Sequence, residues 1–356
     1  CSYKRSITID HTQVGSSDIS NFPLLVTLSN ATFKTVGNGG HVQNSSGFDI
    51  VFTPDSSGAT GLYWDPDTFN GAAGNAWEWV LVPTVSNTSD TVVWVHYGCA
   101  SLTTLQSPPG YVWGQNYRGV YHLGGANILK DSEWATSPGV PAVMGQPARE
   151  VNTLINNGSI TSGAGMIADA AIGNGTDDLT NANLLQPIQN GNSITISFWN
   201  FAATATALDD MESFTIGGLT APNRITANVP QHTKLANWDY GNTTTGRLTT
   251  DYTAFMDAWT KVDMTYDLST HTQSIYLNGS LAASQSSTAE PNTNPSMFFN
   301  GVQSVAILGN GANRKNAKMD EFRFSPIAMP ANWIALEYAN QKSGQTLVTV
   351  GAEVAN

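Results

Sequence analysis

The segment "AKMDEFRFSP", residues 317–326, has the alternating pattern of a β-strand with two acidic residues at its centre. Because successive side chains of a strand point to opposite faces, we expect Asp320 to share a face with Phe322 and Phe324. A carboxylate on an apolar face needs a base, backbone amides or a metal ion to offset its desolvation. The partner of Asp320 is therefore the first question that this sequence raises.

The composition disfavours several classes of partner. The 356 residues include 15 Lys+Arg and 27 Asp+Glu, which gives a net charge of -12. Phosphate binding needs a basic stripe, so we expect no nucleic acid partner, and anionic membrane surfaces are disfavoured for the same reason. No apolar run reaches the ~20 residues that a membrane helix requires. A chain with few charges, much Gly, Ser, Thr and Asn, and a first residue Cys1 is typical of an exported protein, secreted or displayed at the cell surface.

Short alternating or β-branched segments recur between turn residues along the whole chain and predict an all-β protein. In the first hundred residues they include "YKRSITID", "FPLLVTL" and "TVVWVHYG", and later ones include "NSITISFWNFA" and "QTLVTVGAEV". The double proline in "SLTTLQSPPGYVW" predicts a connection between domains. One helix is expected, in "MPANWIALEYANQ". We therefore predict two β-sandwich domains, at residues 1–105 and 111–356.

The two cysteines, Cys1 and Cys99, lie almost a hundred residues apart. If the strand that begins near Tyr3 pairs with the strand that ends at Tyr97, the two thiols meet at one edge and can form a disulfide. Two alternatives are a pair of free thiols and a lipidated Cys1. Neither cysteine has the spacing of a metal site.

Six segments occur in an order similar to that of the successive strands of a laminin-G-like, concanavalin A-like jelly roll. They are "ITISFWNFA", "WTKVDMTYD", "QSIYLNGSLAAS", "AILGNG", "KMDEFRFSP" and "WIALEYANQ". The first hundred residues, with "YKRSITIDHTQV", "NFPLLVTL" and "VHYG", resemble an uncharacterised bacterial surface domain that precedes such jelly rolls. The resemblance implies a fold of two sandwiches, the second a jelly roll, and it does not fix the function.

Three interpretations of Asp320 are open. In similar sandwiches the aspartate at the start of this late strand binds a structural calcium ion, and "GNGTDDLT" offers Asp177 and Asp178 as further ligands. Alternatively, Asp320 accepts hydrogen bonds from backbone amides at a strand end, or it is catalytic. Calcium is the one cofactor that the resemblance implies.

The same type of jelly roll includes glycoside hydrolases and polysaccharide lyases. A retaining hydrolase needs two carboxylates ~5 Å apart, and in "LDDMESF" the alternation places Asp210 and Glu212 on one face. The usual Glu-x-Asp-x-Glu pattern is incomplete, because Leu208 stands at its first position. A lyase would need a Tyr/His pair with a neutralising cation, for which the candidates are His232, Tyr240 and Arg247.

A glycan site combines an exposed aromatic platform with polar side chains. In "ANWDYGN" the aromatic residues Trp238 and Tyr240 lie beside Asn237 and Asp239 in a polar, turn-rich stretch where burial is hard to arrange. We therefore expect these four residues to be exposed and to contact a ligand.

Three hypotheses of function follow. The first is a secreted or surface-displayed, non-catalytic protein that binds a glycan or cell-surface polysaccharide, or that mediates adhesion. The second is a structural subunit of an extracellular fibre or filament, which would bind copies of itself. The third is a jelly-roll glycoside hydrolase or polysaccharide lyase.

Overall fold

The chain folds into two compact units. The first combines the N-terminal residues up to position 114 with Ala335–Asn356, and the second comprises the described residues between Asn116 and Ile334. The computed structural model describes residues 1–114, 116–125, 128–132, 153–185, 193–207, 210–217, 224–231, 234–241, 245–286, 302–310 and 313–356.

The first unit consists of two antiparallel sheets. One sheet has the strand order β24-β1-β6-β3, with β25 also paired to β1, and the other has the order β2-β5-β4. A short helix, α1, spans Gly110–Trp113. The strands are β1 (Tyr3–Ile9), β2 (Ile19–Ser29), β3 (Val51–Thr53), β4 (Trp64–Asn70), β5 (Asn75–Val85), β6 (Thr91–Tyr97), β24 (Val348–Val350) and β25 (Val354–Ala355).

The predicted disulfide is confirmed: Cys1 is bonded to Cys99. Strand β1 pairs with β6 in antiparallel register, with Tyr3 opposite Tyr97. Cys1 lies two residues before Tyr3 and Cys99 two residues after Tyr97, so both cysteines lie at the same end of this strand pair. The bond therefore follows from the pairing of β1 with β6, which was the condition under which the sequence allowed it.

The C-terminal segment completes the first unit. Strand β24 pairs with β1, with Val350 opposite Ile7. Beyond it, the carboxylate of Glu353 accepts a hydrogen bond of 2.5 Å from the hydroxyl of Tyr97. The predicted extent of the second domain, 111–356, is thus wrong at its C-terminal end, because the last strands find their hydrogen-bonding partners on β1.

The predicted helix is confirmed as α2, Ala331–Gln341. It begins directly after Pro330, and Leu336 and Asn340, four residues apart on one face, are both buried. In the part of the chain that the structure describes, no helix has the length and apolar character needed to cross a membrane.

Asn340 covers the open edge of β2. Its side-chain oxygen accepts from the backbone N–H of Leu25 at 2.7 Å, and its side-chain nitrogen donates to the carbonyl of Leu25 at 2.9 Å. This amide takes the place of a neighbouring strand, so that both backbone groups of Leu25 are satisfied away from water.

We expect Asn340→Ala to destabilise the first unit by about 2 kcal/mol, because it leaves a buried donor and a buried acceptor without partners. Hydrogen exchange of the β2 amides and urea unfolding measure the effect. Asn38→Ala, the same change at an exposed position whose amide bonds to Thr35 Oγ1, is the control. Equal stability of the two variants would show that α2 does not support this sheet.

The second unit is a sandwich of two large antiparallel sheets. One has the order β19-β18-β17-β12-β23-β10-β9 with β7 beside β23, and the other has the order β16-β15-β14-β13-β20-β11-β8. Strands β21 and β22 form a separate hairpin. The strands are β7 (Gly119–Tyr121), β8 (Ile155–Asn156), β9 (Thr161–Ala164), β10 (Asp169–Ile172), β11 (Leu179–Leu185), β12 (Ile194–Phe201), β13 (Asp210–Gly217), β14 (Arg224–Gln231), β15 (Leu235–Tyr240), β16 (Arg247–Asp251), β17 (Thr260–Asp267), β18 (Thr272–Leu277), β19 (Ser280–Ser286), β20 (Val302–Ile307), β21 (Gly309–Asn310), β22 (Asn313–Arg314) and β23 (Lys318–Ser325).

The core of the second unit lies between these two sheets. Both sheets contribute large apolar side chains, including Phe198 and Phe322 from the first and Phe214 and Trp238 from the second. The rings of Phe198 and Phe214 meet edge to face, with centroids 6.0 Å apart. The all-β fold that the sequence predicts is confirmed.

The expected face of Asp320 is wrong, because β23 contains a bulge. Ser197 of β12 pairs with Arg323, whereas Trp199 pairs with Asp320, so an extra residue is inserted into β23 between these pairs. Glu321 has the left-handed φ of 55° that such an insertion favours. The bulge breaks the alternation: Met319 joins Phe322 in the core cluster, and Asp320 does not.

Candidate functional site

The seven-stranded sheet of the second unit has one apolar and one polar face. The apolar face packs into the core through alternate residues of β14, β15 and β20, such as Ile225, Trp238 and Val305. The opposite face, called the polar face below, carries the intervening residues Glu212, Thr215, Thr226, Asn228, Asn237, Asp239, Arg247 and Thr249.

Strand register arranges the polar face in two rows. Arg247, Asp239, Thr226 and Thr215 stand opposite one another across four strands. The second row runs parallel to it, through Thr249, Asn237, Asn228 and Glu212. Residues paired in this way have neighbouring side chains on the same face, so polar groups are contiguous across the sheet.

The expected exposure of Trp238 and Tyr240 is wrong. Trp238 is 0% exposed and Tyr240 is 1% exposed, and both belong to the core cluster. The ring of Tyr240 stacks on Tyr266 with centroids 4.3 Å apart. Their polar neighbours Asn237 and Asp239 are not turn residues, because they occupy the opposite face of a central strand.

A bidentate ion pair closes one end of the polar face. Arg247 Nε and Nη2 each donate to a carboxylate oxygen of Asp239 at 2.6 Å. The bonds to Asp239, followed by the nearby charge of Asp210, raise the pKa of Arg247 above its usual value. The Arg247 side chain is 35% exposed, whereas that of Asp239 is 2% exposed, so the face meets solvent at Arg247.

Glu212, the second acidic side chain of the polar face, accepts a hydrogen bond from a threonine hydroxyl. Thr215 Oγ1 donates to Glu212 Oε1 and lies 3.0 Å from Thr226 Oγ1, which in turn bonds to the carbonyl of Phe214. Strand β13 has register shifts between Asp210 and Glu212 and again between Glu212 and Phe214. Simple alternation therefore does not set the relative orientation of Asp210 and Glu212, the predicted hydrolase pair.

The predicted lyase residues are not assembled in the part of the chain that the structure describes. Tyr240 lies in the core, whereas Arg247 lies on the polar face and is bound to Asp239. His232 lies outside the described residues.

Asn237 is the unusual group of the polar face. Its side chain is 0% exposed, and among the described residues neither its amide nitrogen nor its amide oxygen has a hydrogen-bond partner. It stands between Asn228 and Thr249 in register. A buried, unsatisfied amide costs about 1–3 kcal/mol for each group, and such exceptions require an explanation in structure or function.

Asp320 lies elsewhere and accepts backbone hydrogen bonds. Its Oδ2 accepts from the N–H groups of Met166 and Ile167 at 2.9 Å and 2.8 Å. These bonds compensate for the burial of the carboxylate, which is 0% exposed.

The predicted calcium ligands do not fit together as one site. Asp177 accepts from Ser159 N and Asn174 Nδ2, whereas Asp178 bonds to Asn157 Nδ2 and pairs with Arg314. Within the described ranges, the groups whose potential ligand atoms lie within 4.8 Å of one another do not include Asp320, Asp177 and Asp178. Calcium needs six to eight oxygens around one point, and these three carboxylates do not converge.

Two further residues of the polar face, Thr226 and Asn228, were predictable from the alternation of their strand. In "RITANVP", Ile225, Ala227 and Val229 enter the core, and Thr226 and Asn228 alternate with them. A strict period-2 reading of this strand and of β15 assigns Asn228 and Asn237 to the polar faces of their strands, and the register of the two strands places them opposite each other.

The second unit is thus a β-sandwich in which one of the two sheets has a polar outer face. Residues 173–335 match the Laminin_G_3 family, described as the concanavalin A-like lectin/glucanases superfamily. The second unit therefore contains a concanavalin A-like jelly roll, as predicted. The relation of the first hundred residues to a surface-domain family remains a prediction. No curated protein sequence matches the chain.

Several solved structures are similar at low identity. The binding domain of botulinum neurotoxin serotype D aligns with a TM-score of 0.46 and 14% identity, over 64% of this chain and 52% of that chain. The same serotype's ligand binding domain in complex with N-acetylneuraminic acid gives 0.46 and 13%, over 65% and 53%. Domain 4 of AbnA, a GH43 extracellular arabinanase from Geobacillus stearothermophilus, in complex with arabinotriose, gives 0.43 and 18%, over 62% and 96%.

Proposed function

We propose that the protein is an extracellular, non-catalytic glycan-binding protein and that its jelly roll binds the glycan at the polar face. The observation that carries this proposal is Asn237, whose buried amide lacks both a donor and an acceptor partner among the described residues. A ligand that offers a hydroxyl group to each end of the amide would satisfy it.

The surrounding side chains have the chemistry that sugars require. Sugar hydroxyls both donate and accept, and the rows around Asn237 supply carboxylate acceptors, a second amide and threonine hydroxyls. The partly exposed Arg247 and the exposed Thr249 mark the solvent end of the face. Asp239 and Asn237 follow on the adjacent strand, and because both are buried, a bound glycan has to take the place of the groups that cover them.

Two features favour binding over catalysis. Both carboxylate oxygens of Asp239 accept hydrogen bonds from Arg247, so this side chain is already engaged and is not placed to exchange a proton with a substrate. Glu212 accepts from Thr215. The confirmed disulfide supports the extracellular assignment, because such bonds persist in oxidising compartments.

We expect Asn237→Leu to weaken glycan binding by about tenfold or more, since two hydrogen bonds to the ligand are lost. The same change should leave the melting temperature unchanged or raise it, because an unsatisfied buried amide is replaced by an apolar group of similar size. A glycan array identifies the ligand, and titration calorimetry with the best hit measures its affinity. Asn316→Leu, at a half-buried position whose amide bonds to Thr206 O, is the control.

The two readouts separate a ligand site from a structural defect. A variant that is more stable and binds less glycan supports the proposal. If Asn237→Leu binds the array hit as tightly as the unmodified chain does, the site lies elsewhere. If no glycan binds to the folded protein, the proposed function is wrong.

A further inference from the structure

The polar face is acidic around Asn237. Asp239 lies two residues from Asn237 on the same strand, Glu212 lies in the row of Asn237 beyond Asn228, and Asp210 lies near enough to raise the pKa of Arg247. Asp239 and Glu212 are both buried. Their charges act on one another and on a ligand through a medium that screens less than bulk water.

Arg247 balances the charge of Asp239 but is held by it, so the guanidinium is not available to bind an incoming anion. Its guanidinium is engaged by Asp239 through two bonds of 2.6 Å. A ligand carboxylate that sought the usual bidentate contact with arginine would have to displace Asp239 and leave that buried carboxylate without its counter-ion.

Lys315 and Arg314, which follow the last strand of this sheet in the chain, are engaged by groups of the protein itself. Lys315 is fully buried and donates to Ser213 Oγ and to the carbonyl of Val229, and Arg314 pairs with Asp178.

The whole chain has the same sign as the site. With 15 Lys+Arg against 27 Asp+Glu, its net charge is -12. The long-range field therefore slows the approach of anions and favours neutral or cationic molecules.

We infer that the polar face selects neutral or amino-containing glycans and rejects glycans that carry carboxylate or sulfate groups; this inference rests on the proposed glycan binding. A neutral hydroxyl donates to Glu212 and to the Asn237 oxygen, and accepts from the Asn237 nitrogen. An ammonium group gains further attraction from the carboxylates. A carboxylate or sulfate has no proton to donate and meets like charge.

A glycan array of matched pairs tests this inference on the unmodified full chain. Each acidic glycan is printed beside its neutral counterpart: uronate oligomers beside their methyl esters, sialylated beside desialylated chains, and sulfated beside desulfated chains. We expect the neutral member of each bound pair to bind about tenfold more tightly or better. An acidic member that binds as well as its counterpart, or better, overturns the inference and leaves the proposed function intact. An array without any bound glycan removes the proposed function itself.

Asp239→Asn provides a gain-of-function test. The substitution releases Arg247 and removes one negative charge, so binding of the acidic members should rise relative to their neutral counterparts by about tenfold. Asp257→Asn makes the same charge change at an exposed carboxylate bonded to Thr204, away from the polar face, and should leave the ratio unchanged. An unchanged ratio in a folded Asp239→Asn protein, or an equal change in both variants, contradicts the inference. The array result on the unmodified chain stands whether or not Asp239→Asn folds.

Discussion

Replacing Asp320 by alanine is expected to destabilise the second unit by about 3 kcal/mol, because two backbone N–H groups then lose their acceptor. Those groups belong to Met166 and Ile167, and both donate to the same carboxylate oxygen. The buried carboxylate connects the central strand β23 to the backbone ahead of β10, its neighbour in the sheet. Urea unfolding followed by hydrogen exchange in β10 and β23 measures the loss.

Asp320→Asn separates the backbone role from a calcium site. The side-chain oxygen of asparagine still accepts from both amides, so this variant should lose less than half of the stability that the alanine variant loses. A calcium chelator should leave the unfolding curve of the unmodified chain unchanged. Conversely, a chelator that lowers the stability of the unmodified chain and not that of Asp320→Asn would restore the calcium interpretation.

Asp320 shows what the alternating pattern of a strand can and cannot predict. The alternation in residues 317–326 predicts a buried strand, and β23 is central in its sheet. The alternation fails at Glu321, where one inserted residue reverses the faces on either side. A bulge depends on how the neighbouring strand β12 is paired, and this information is not local to the segment.

The polar face shows the opposite kind of failure. The polar composition of "ANWDYGN" predicts an exposed turn, whereas the alternation of its polar and aromatic residues is the pattern of a strand. The structure has a strand in which Trp238 and Tyr240 fill the core and Asn237 and Asp239 face the other way. Polar residues on both neighbouring strands make this possible, since each supplies matching groups in register.

The division of the chain was predictable only in part. The double proline marks the region where the first unit's N-terminal portion ends. The return of Ala335–Asn356 to that unit was not visible, because a short alternating segment such as "TLVTVGAEV" pairs with any open strand edge of suitable register. Strand β1 provides that edge, and the choice is made by long-range pairing rather than by local sequence.

Breaking the disulfide between Cys1 and Cys99 should have the larger effect, a loss of about 4 kcal/mol from the first unit by the chain-entropy estimate. The bond joins residues 98 positions apart, so it restricts a long segment of the unfolded chain. We expect a reducing agent to lower the melting temperature, and hydrogen exchange in β1 and β6 to increase. The double variant Cys1→Ser, Cys99→Ser should reproduce this state and show no further response to reduction.

The state of this disulfide also bears on the cellular compartment in which the protein functions. In its folded, unreduced form the chain should show no reactive thiol, because both cysteines are joined. The expected loss of about 4 kcal/mol is a large fraction of the free energy of unfolding of a typical domain, about 5–15 kcal/mol. A protein that depends on it is suited to an oxidising compartment, as the proposed extracellular function requires. Two titratable thiols per chain in protein isolated without reductant, or a melting curve indifferent to reduction, would remove this support and leave the glycan site to be judged by its ligand alone.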